Sequence, residues 1–392
     1  KTPPEVLSGG SESSVMSVCQ VGSAWGCLHR EEAMFVQNPN TNRYRCLSFL
    51  LAGMMAVTSL PLPAFAADAA AGEEIAISAE RFPDEQFRNY ISEQLDSDGD
   101  NMLSATECSE VVDLNVSQQG IADLTGIDVF SKLQQLDCSG NTLSALDISG
   151  AAQLLQLNCS ANPDLSALKL PEKNGAFSFL VMLDCSDCAL TELSLDSYAL
   201  LGTLDCSGNQ LAALDISANS NLRTVDCSGN QLATLDVSAN SNLQTVDCSG
   251  NQLTELDVYN ALLQKLDCSE NALPSLFLSE CSALRELDCS QNQLVELDTT
   301  GLTLEILETA GNQRAIVPQP EQAGAYSYDL NNLPELEQDR ITGWENASVK
   351  EDAANVLQIP ADTERVSYGY RLDSQQAVPV ATFTLTLQPD EA

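Results

Sequence analysis

The stretch that decides the fold runs from Leu222 to Leu232 and reads LRTVDCSGNQL. Apolar and polar residues alternate along it, which is the pattern of a β-strand with one buried face. We expect the inward side chains to be Leu222, Val225, Cys227 and Leu232, and the outward ones to be Thr224, Asp226 and Ser228. The stretch therefore predicts one short strand on the surface of a buried core.

The same phrase returns at near-constant intervals along the chain. Good copies begin at Leu133, Leu201, Leu243, Leu263 and Leu284, and weaker ones at Leu154, Leu180 and Leu304. One position marks each unit: Cys138, Cys159, Cys185, Cys206, Cys227, Cys248, Cys268 and Cys289, with Thr309 last and Val116 one unit upstream. The steps between Cys138 and Thr309 are 21, 26, 21, 21, 21, 20, 21 and 20 residues. Such a period predicts a solenoid in which each unit packs on its neighbours.

Over residues 111–317 the phrase resembles the leucine-rich-repeat consensus LxxLxLxxNxL, with cysteine in the third leucine position. The resemblance implies parallel strands lining a concave sheet. It also implies an asparagine ladder that satisfies turn backbone groups, formed here by Asn209, Asn230, Asn251, Asn271 and Asn292. The second half of each unit is too short for a stable helix. We therefore expect extended segments and turns on the convex side.

The chain has 14 cysteines, a number that in an exported protein usually indicates disulfides. In-register strands lie about 4.8 Å apart, whereas bridged Cβ atoms lie about 3.5 to 4.5 Å apart, and equivalent cysteines offer no unique pairing. We expect stacked, buried thiols, which indicate a reducing or anaerobic habitat. Cys185 and Cys188 form a C-x-x-C motif, but Cys188 falls where other units carry asparagine. We interpret it as part of the repeat rather than as a redox or zinc site.

A targeting segment is expected near the start of the chain. Arg43 and Arg45 precede an apolar run from Leu47 to Leu60, and Ala64-Phe65-Ala66 follows. This order is typical of a secretory signal peptide with a small-residue cleavage site, and the run is too short to span a bilayer. Residues 1–33 lack periodicity, so we expect either a true start near Met34 or a long targeting region.

Charge and histidine content exclude several functions. There are 17 Lys and Arg against 56 Asp and Glu, a net charge of -39, which disfavours nucleic acid and anionic membranes as partners. The only histidine, His29, precedes the expected cleavage point. Catalysis that needs an imidazole is therefore excluded from the mature chain. A carboxylate-only glycosidase needs a cleft and two different environments, which a uniform ladder does not offer, and we expect no enzyme.

Ahead of the repeats, residues 96–107 resemble an EF-hand calcium loop. Acidic residues occupy loop positions 1, 3, 5 and 12, and the resemblance implies a Ca²⁺ site made of Asp96, Asp98, Asp100, the Met102 carbonyl, Ser104 and Glu107. Asn101 replaces the usual glycine, although asparagine tolerates the left-handed conformation needed there, and no second EF-hand is visible. The alternative is an acidic turn between two helices.

The ends of the array are expected to be covered. The segment FPDEQFRNYISEQL predicts a helix that buries Phe82, Phe87, Ile91 and Leu95 over the first repeat. After Asn312 the phrase stops, and the alternation in residues 365–372 and 381–387 predicts strands, as in the β-rich ends of internalin-like surface proteins.

The predicted fold is a β-rich leucine-rich-repeat solenoid with repeats of 20 or 21 residues, a short helical N-terminal cap and a small β-sandwich-like C-terminal cap. The expected divisions are residues 1–66 (upstream segment and signal peptide, removed), 67–110 (EF-hand-like helical cap), 111–317 (solenoid) and 318–392 (β-rich cap).

The expected function is binding, by an exported bacterial protein that is secreted or lies at the cell surface and has no membrane-spanning segment after signal removal. A possible binding face is the acidic column of Asp184, Asp205, Asp226, Asp247, Asp267 and Asp288, flanked by a serine column. Its partner would be another protein or a surface glycan. Alternatively the aspartates accept structural hydrogen bonds, and the chain is a structural component of the cell envelope or the non-catalytic arm of a larger enzyme. Oligomeric state stays open.

Overall fold

The computed structural model describes residues 36–37, 44–45, 74–171, 178–321, 325–351, 353–373 and 380–388. The apolar run from Leu47 to Leu60, the cleavage site and Met34 lie outside these residues. The chain forms two compact units, Lys1–Phe65 and Ala66–Ala392. In the first unit, β1 (Val36–Gln37) pairs antiparallel with β2 (Tyr44–Arg45).

The second unit opens with a helical segment. Here β3 (Ile75–Ala76) is followed by α1 (Glu85–Gln94), β4 (Met102–Leu103) and α2 (Ala105–Glu110). Phe82, Phe87 and Ile91 are fully buried, as their spacing predicts, while Leu95 is half-buried. Asp84 begins α1, because one of its carboxylate oxygens accepts from the Phe87 amide at 2.9 Å. The other oxygen accepts from the Ala122 amide at 2.8 Å, which ties this helix to the first turn of the solenoid.

The solenoid strands are three residues long and recur with the period of the sequence. They are β5 (Asp113–Asn115), β6 (Gln135–Asp137), β7 (Ala145–Asp147), β8 (Gln156–Asn158), β9 (Ala167–Lys169), β10 (Met182–Asp184), β11 (Thr203–Asp205), β12 (Thr224–Asp226), β13 (Thr245–Asp247), β14 (Lys265–Asp267), β15 (Glu286–Asp288) and β16 (Ile306–Glu308). Ten of them form one parallel sheet in the order β16-β15-β14-β13-β12-β11-β10-β8-β6-β5. The predicted leucine-rich-repeat solenoid, with about 21 residues per turn, is confirmed.

The convex side is made of extended segments and turns, as predicted. Strands β7 and β9 pair there in parallel, and a single parallel bridge joins Asp257 to Phe277. A short 3₁₀ turn, Ile127–Val129, follows the first strand. Among the described residues, α-helix is confined to α1 and α2, which precede the repeats. None of the described helices is long and apolar enough to cross a membrane.

The core lies between the two sides and is filled by residues at fixed repeat positions. In the deciding stretch, Leu222, Val225, Cys227 and Leu232 are fully buried. The eleven described cysteines are all free and buried. In several repeats the thiol also lies near the carbonyl of the next strand, as for Cys227 Sγ and the Asp247 oxygen at 3.5 Å. The thiols therefore pack as small apolar groups with a weak hydrogen bond, without disulfides among the described residues.

Beyond the repeats, two four-stranded sheets follow. Their strands are β17 (Gln313–Ile316), β18 (Gln319–Pro320), β19 (Tyr326–Asp329), β20 (Ile341–Glu345), β21 (Ser348–Lys350), β22 (Ala353–Ile359), β23 (Arg365–Arg371) and β24 (Val380–Leu387). The orders are β17-β24-β23-β20 and β18-β19-β22-β21. Short 3₁₀ turns lie at Leu330–Asn332 and Gln338–Arg340.

The sheet that contains β23 and the turn Gln338–Arg340 are held to the last repeat by polar contacts. The Tyr368 hydroxyl donates to the Val295 carbonyl at 2.5 Å, and the Tyr370 hydroxyl donates to Glu296 at 2.8 Å. Arg340, only 4% exposed, bridges to Asp298 at 3.1 Å and lies over the Tyr370 ring. The end of the solenoid is thus covered by aromatic residues whose polar atoms have partners.

Candidate functional site

The concave face presents two polar columns that run in register along the sheet. Pairing aligns the aspartates directly: Asp184 with Asp205, Asp226, Asp247, Asp267, Asp288 and finally Glu308. Each strand places its middle residue inward and its two flanking residues outward, so each repeat from Asp184 to Glu308 adds one carboxylate to the same line. Neighbouring strands in a sheet are about 4.8 Å apart. The acidic column predicted from the sequence is therefore continuous in space.

Each aspartate is fixed by the serine two residues later. In the repeat of Asp226, one carboxylate oxygen accepts from the Ser228 amide at 3.0 Å and from its hydroxyl at 2.7 Å. The same pair of bonds occurs at Asp137, Asp184, Asp205, Asp247 and Asp267. Asn158 makes them too, with Ser160. One oxygen of each side chain therefore accepts hydrogen bonds within a local turn. The side-chain oxygen of an asparagine can accept the same bonds.

The column is less open than its outward direction suggests. Asp184 is only 6% exposed, and the other aspartates are half-buried because each side chain shields the next. Burial and the neighbouring carboxylates Asp247 and Asp205 raise the pKa of Asp226 above its ordinary value. Burial and Asp247 likewise raise the pKa of Asp267. Closely spaced carboxylates disfavour each other's ionisation, so Asp226 and Asp267 bind protons more readily than free aspartate does.

The flanking outward column varies in composition. It carries Thr203, Thr224 and Thr245 in three successive strands, then Lys265 and Glu286. Lys265 and Glu286 pair in register and their charged atoms lie 3.6 Å apart. The described strands of this sheet contain no aromatic residue. The face is thus suited to polar and ionic contacts.

The asparagine ladder lies under the turns that follow these strands. The amide of Asn230 donates to the carbonyls of Cys206 and Cys227, both at 3.0 Å, and its oxygen accepts from the Leu211 amide at 3.0 Å. Asn209, Asn251, Asn271 and Asn292 make the equivalent bonds. Cys188 takes the asparagine position and points its thiol at the Cys159 carbonyl at 3.4 Å. That placement supports its interpretation as part of the repeat.

The sequence analysis missed a second asparagine column on the convex side. Asn240 donates to the carbonyls of Ile216 and Asn219, both at 2.9 Å, and Asn219 and Asn260 make related bonds. Cys281 continues the column, with its thiol 3.5 Å from the Val258 carbonyl. The signal was present in the repeated SANSN phrase, because Asn219 and Asn240 lie one 21-residue unit apart.

The acidic loop brings together three of its predicted ligands. Asp96, Asp98 and Glu107 each offer one oxygen, and these atoms lie within 4.8 Å of one another. Asp100 lies outside this cluster and accepts from the Met102 amide at 2.8 Å. Carboxylate oxygens at this spacing fit a hard cation such as Ca²⁺, which takes six to eight oxygen ligands.

One residue of the acidic loop has the left-handed backbone conformation expected for it. Asn101 has φ +70°, so asparagine fills the left-handed position where glycine is usual. Strand β4, which lies within the loop, pairs antiparallel with β3. The backbone of the loop is therefore paired with a strand near residue 75, and no second EF-hand is needed for this pairing. Glu107 accepts from the Ser104 amide at 2.8 Å and from the Ser97 amide at 2.7 Å, and these bonds lower its pKa to about 2. Glu107 is thus a buried member of the cluster whose ionised form is favoured by its hydrogen bonds.

Comparison with known proteins finds the repeat. The family model described as "Leucine Rich repeats (2 copies)" matches residues 220–261. Among curated proteins nothing matches. The functional domain of InlJ from Listeria monocytogenes, described as including a cysteine ladder, is 20% identical with a TM-score of 0.40, covering 81% of this chain and 99% of that chain. InlP from Listeria monocytogenes is 15% identical with a TM-score of 0.47, also covering 81% and 99%. YopM from Yersinia enterocolitica is 28% identical with a TM-score of 0.44, covering 52% and 42%.

Proposed function

We propose that this chain is a non-catalytic, exported binding protein whose concave face recognises another protein or a surface glycan. One observation carries the proposal: six aspartates, from Asp184 to Asp288, stand in register on successive parallel strands. Such a line of acceptors repeats at the strand spacing of about 4.8 Å. It suits a partner that offers several donors in a row, such as lysine and arginine side chains or sugar hydroxyls.

The serine bonds favour binding by holding the carboxylates in place. Because Ser228 fixes one oxygen of Asp226 at 2.7 Å, the side chain has little rotamer freedom left to lose. Preorganised groups bind more tightly since less entropy is lost on association. The absence of aromatic residues from the described strands of the ten-stranded concave sheet favours polar contacts over an apolar hot spot.

Calcium belongs to the same proposal as a stabiliser of the helical segment. The ion would be held by Asp96, Asp98 and Glu107 together with the Met102 carbonyl. Asp100, which lies outside the cluster of three carboxylates, and Ser104 would complete the set of oxygens. Because α1 contacts the first turn of the solenoid through Asp84, an ion in this loop would stabilise that end of the array. Export is supported by the sequence of residues 43–66 alone.

A second candidate function is a structural role in the cell envelope. It is favoured by the near identity of the outward residues from repeat to repeat, since Thr224, Asp226 and Ser228 recur as Thr245, Asp247 and Ser249. Surfaces that recognise one ligand normally differ from unit to unit. A structural protein would bind no single molecule through this face.

The test is a glycan and protein array probed with the mature chain, with and without Ca²⁺. A concave variant, Thr224→Lys with Thr245→Lys, places lysines in the outward column that flanks the aspartates. Lys265 already stands in that column on the next strand, so the fold is expected to accept them. Its matched control is the convex variant Asp215→Lys, which changes the charge by the same amount and copies Lys169. We expect specific signals that the concave variant loses and the convex variant keeps. Signals lost only in the convex variant, or no specific signal on either array, would contradict the proposal.

A further inference from the structure

Three large apolar side chains lie exposed on the convex side of two consecutive repeats. Tyr259 is 63% exposed, Leu262 is 50% exposed and Phe277 is 59% exposed. We call these three residues the convex apolar patch. The equivalent positions of the preceding repeat carry Asp236, Ser238 and Asn242. Clustered exposed apolar residues mark interaction sites more often than isolated ones do.

The backbone places the two aromatic residues side by side. Phe277 forms a parallel bridge with Asp257, so the two turns are in register at this point. Residues two apart on an extended segment share a face, and Tyr259 therefore lies on the same outward side as Asp257. With a rise of about 3.3 Å per residue and a strand spacing of about 4.8 Å, the Cα atoms of Tyr259 and Phe277 are about 8 Å apart. One partner segment can therefore cover both side chains.

The solenoid itself does not require these residues. The neighbouring repeats carry Asp236 and Asp257 where Phe277 stands, Ser238 where Tyr259 stands and Asn242 where Leu262 stands. The core beneath is filled by other side chains, Val258 and Leu278, both almost fully buried. Polar residues thus serve these backbone positions in the preceding repeat, so the fold of a repeat does not depend on the three apolar side chains.

The charged residues on the outward segments that carry and precede the patch are all negative. The outward segments 233–242, 254–263 and 275–283 contain Asp236, Glu255, Asp257 and Glu280, all exposed, and no lysine or arginine. A second copy of this chain would bring the same acidic rim and a net charge of -39. Like charges across an interface oppose association, which argues against self-association through this patch.

We propose that the convex apolar patch docks a cationic, amphipathic polypeptide segment of a partner protein. Its apolar side chains would cover Tyr259, Leu262 and Phe277, while its lysines or arginines pair with Asp257 and Glu280. An aromatic centre with a polar rim is the arrangement of effective protein interfaces. This surface is separate from the concave columns and would act independently of them.

The test uses a fluorescein-labelled helical peptide of leucine and lysine, with a lysine and serine peptide of equal charge as its control. The variant Phe277→Asp, Tyr259→Ser and Leu262→Asn restores the residues of the neighbouring repeats, so it is expected to fold. We expect it to bind the leucine and lysine peptide at least tenfold more weakly, measured by fluorescence anisotropy. Non-specific electrostatic attraction predicts tighter binding of the cationic peptide by this variant, because Phe277→Asp adds a negative charge.

Two further variants complete the test. The variant Glu255→Lys with Glu280→Lys keeps the convex apolar patch but reverses the charge at two positions of its rim. It should bind the leucine and lysine peptide more weakly. The variant Thr224→Lys with Thr245→Lys lies on the concave face. It should leave the difference in affinity between the two peptides unchanged. Equal binding by the native protein and the triple variant would overturn the proposal. So would sedimentation showing dimers that the triple variant abolishes, because the occupant would then be a second copy.

Discussion

A Cβ atom on Gly126 would lie 2.4 Å from the ring of Phe82, so the aromatic ring occupies the space that only glycine leaves open. Gly126 also has φ +103°, a conformation that side chains other than glycine rarely adopt. Phe82 is fully buried at this contact. Together with the bond from Ala122 to Asp84, the contact joins the helical segment to the solenoid.

Gly126→Ala should destabilise the protein by about 2 kcal/mol or more, because overpacking of a close contact costs about 1 to 3 kcal/mol and the positive φ adds to it. The measurement is the free energy of unfolding in urea. Gly301→Ala is the control, since Gly301 has φ +84° and open space around it. Equal losses in the two variants would show that the Phe82 contact is unimportant.

Millimolar Ca²⁺ should raise the melting temperature of the native protein, because a ligand that binds only the folded state stabilises it by mass action. The rise should vanish in Asp96→Ala with Glu107→Ala. Glu107 also forms the capping box of α2 with Ser104, so its loss is expected to lower the stability even without the ion. The melting temperature of the variant is therefore compared with and without Ca²⁺. Asp98→Asn keeps the oxygen that accepts from Asp100 and should only weaken the response. An unchanged melting curve of the native protein contradicts the site.

Asp226→Asn with Asp247→Asn should be neutral or stabilising at low salt. An asparagine keeps the bonds to the following serine, as Asn158 does with Ser160, while the repulsion of about 0.8 kcal/mol per neighbouring pair at 5 Å in water is relieved. Asp226→Ala, which loses the bonds to Ser228 as well, is the contrasting variant and should destabilise by about 1 kcal/mol. Urea unfolding at low and high salt measures both. A clear loss of stability in the asparagine variant would show that the column needs its charge.

Lowering the pH from 8 towards 5 should stabilise the protein. Burial and neighbouring carboxylates raise the pKa of Asp226 and Asp267 in the folded state, so the folded chain binds more protons than the unfolded chain, and stability falls as pH rises. The gain should level off near their ordinary pKa of about 4, below which groups such as Glu107, with its lowered pKa, begin to oppose it. Asp226→Asn with Asp267→Asn should flatten the slope. A slope of opposite sign between pH 8 and 5 would refute the mechanism.

Thiol titration should find the eleven buried cysteines unreactive in the native protein and reactive after unfolding. Burial raises the pKa of every thiol in the column from Cys138 to Cys289 well above its usual range, and the thiolate is the reactive form. The check is Ellman's reagent with and without guanidinium. The chain from Ala67 onward holds eleven of the 14 cysteines. Fewer than eleven reactive groups in it after unfolding, without reductant, would mean that disulfides have formed.

The repeat could be predicted because its determinants are local and recur. The alternation around Val225 fixes which side chains are buried, and the constant period fixes the register of Asp226 with Asp247. The same reasoning located Asn101 in the left-handed position, since that residue type and loop position suffice. These features depend on residues close in sequence.

The contacts at both ends could not be predicted, because they join residues far apart in the chain. Asp84 reaches Ala122, and Tyr368 reaches Val295 across 73 residues. Nor does the sequence reveal that Arg340 is buried, since arginine is usually exposed and its partners Asp298 and Tyr370 lie in other elements. The half-burial of the aspartates likewise arises from their mutual packing, which no single repeat contains.

The asparagine ladder has an evolutionary consequence. Asn230 bonds to Cys206 in the unit before it and to Cys227 in its own unit, and Asn251 repeats both relations one unit later. Every junction between these units is therefore chemically the same. Unequal recombination between gene segments that encode them would insert or delete a whole turn while leaving each remaining junction intact. The length of the array is thus free to change in inheritance by whole units, and selection can adjust the reach of the protein without having to repair its interior.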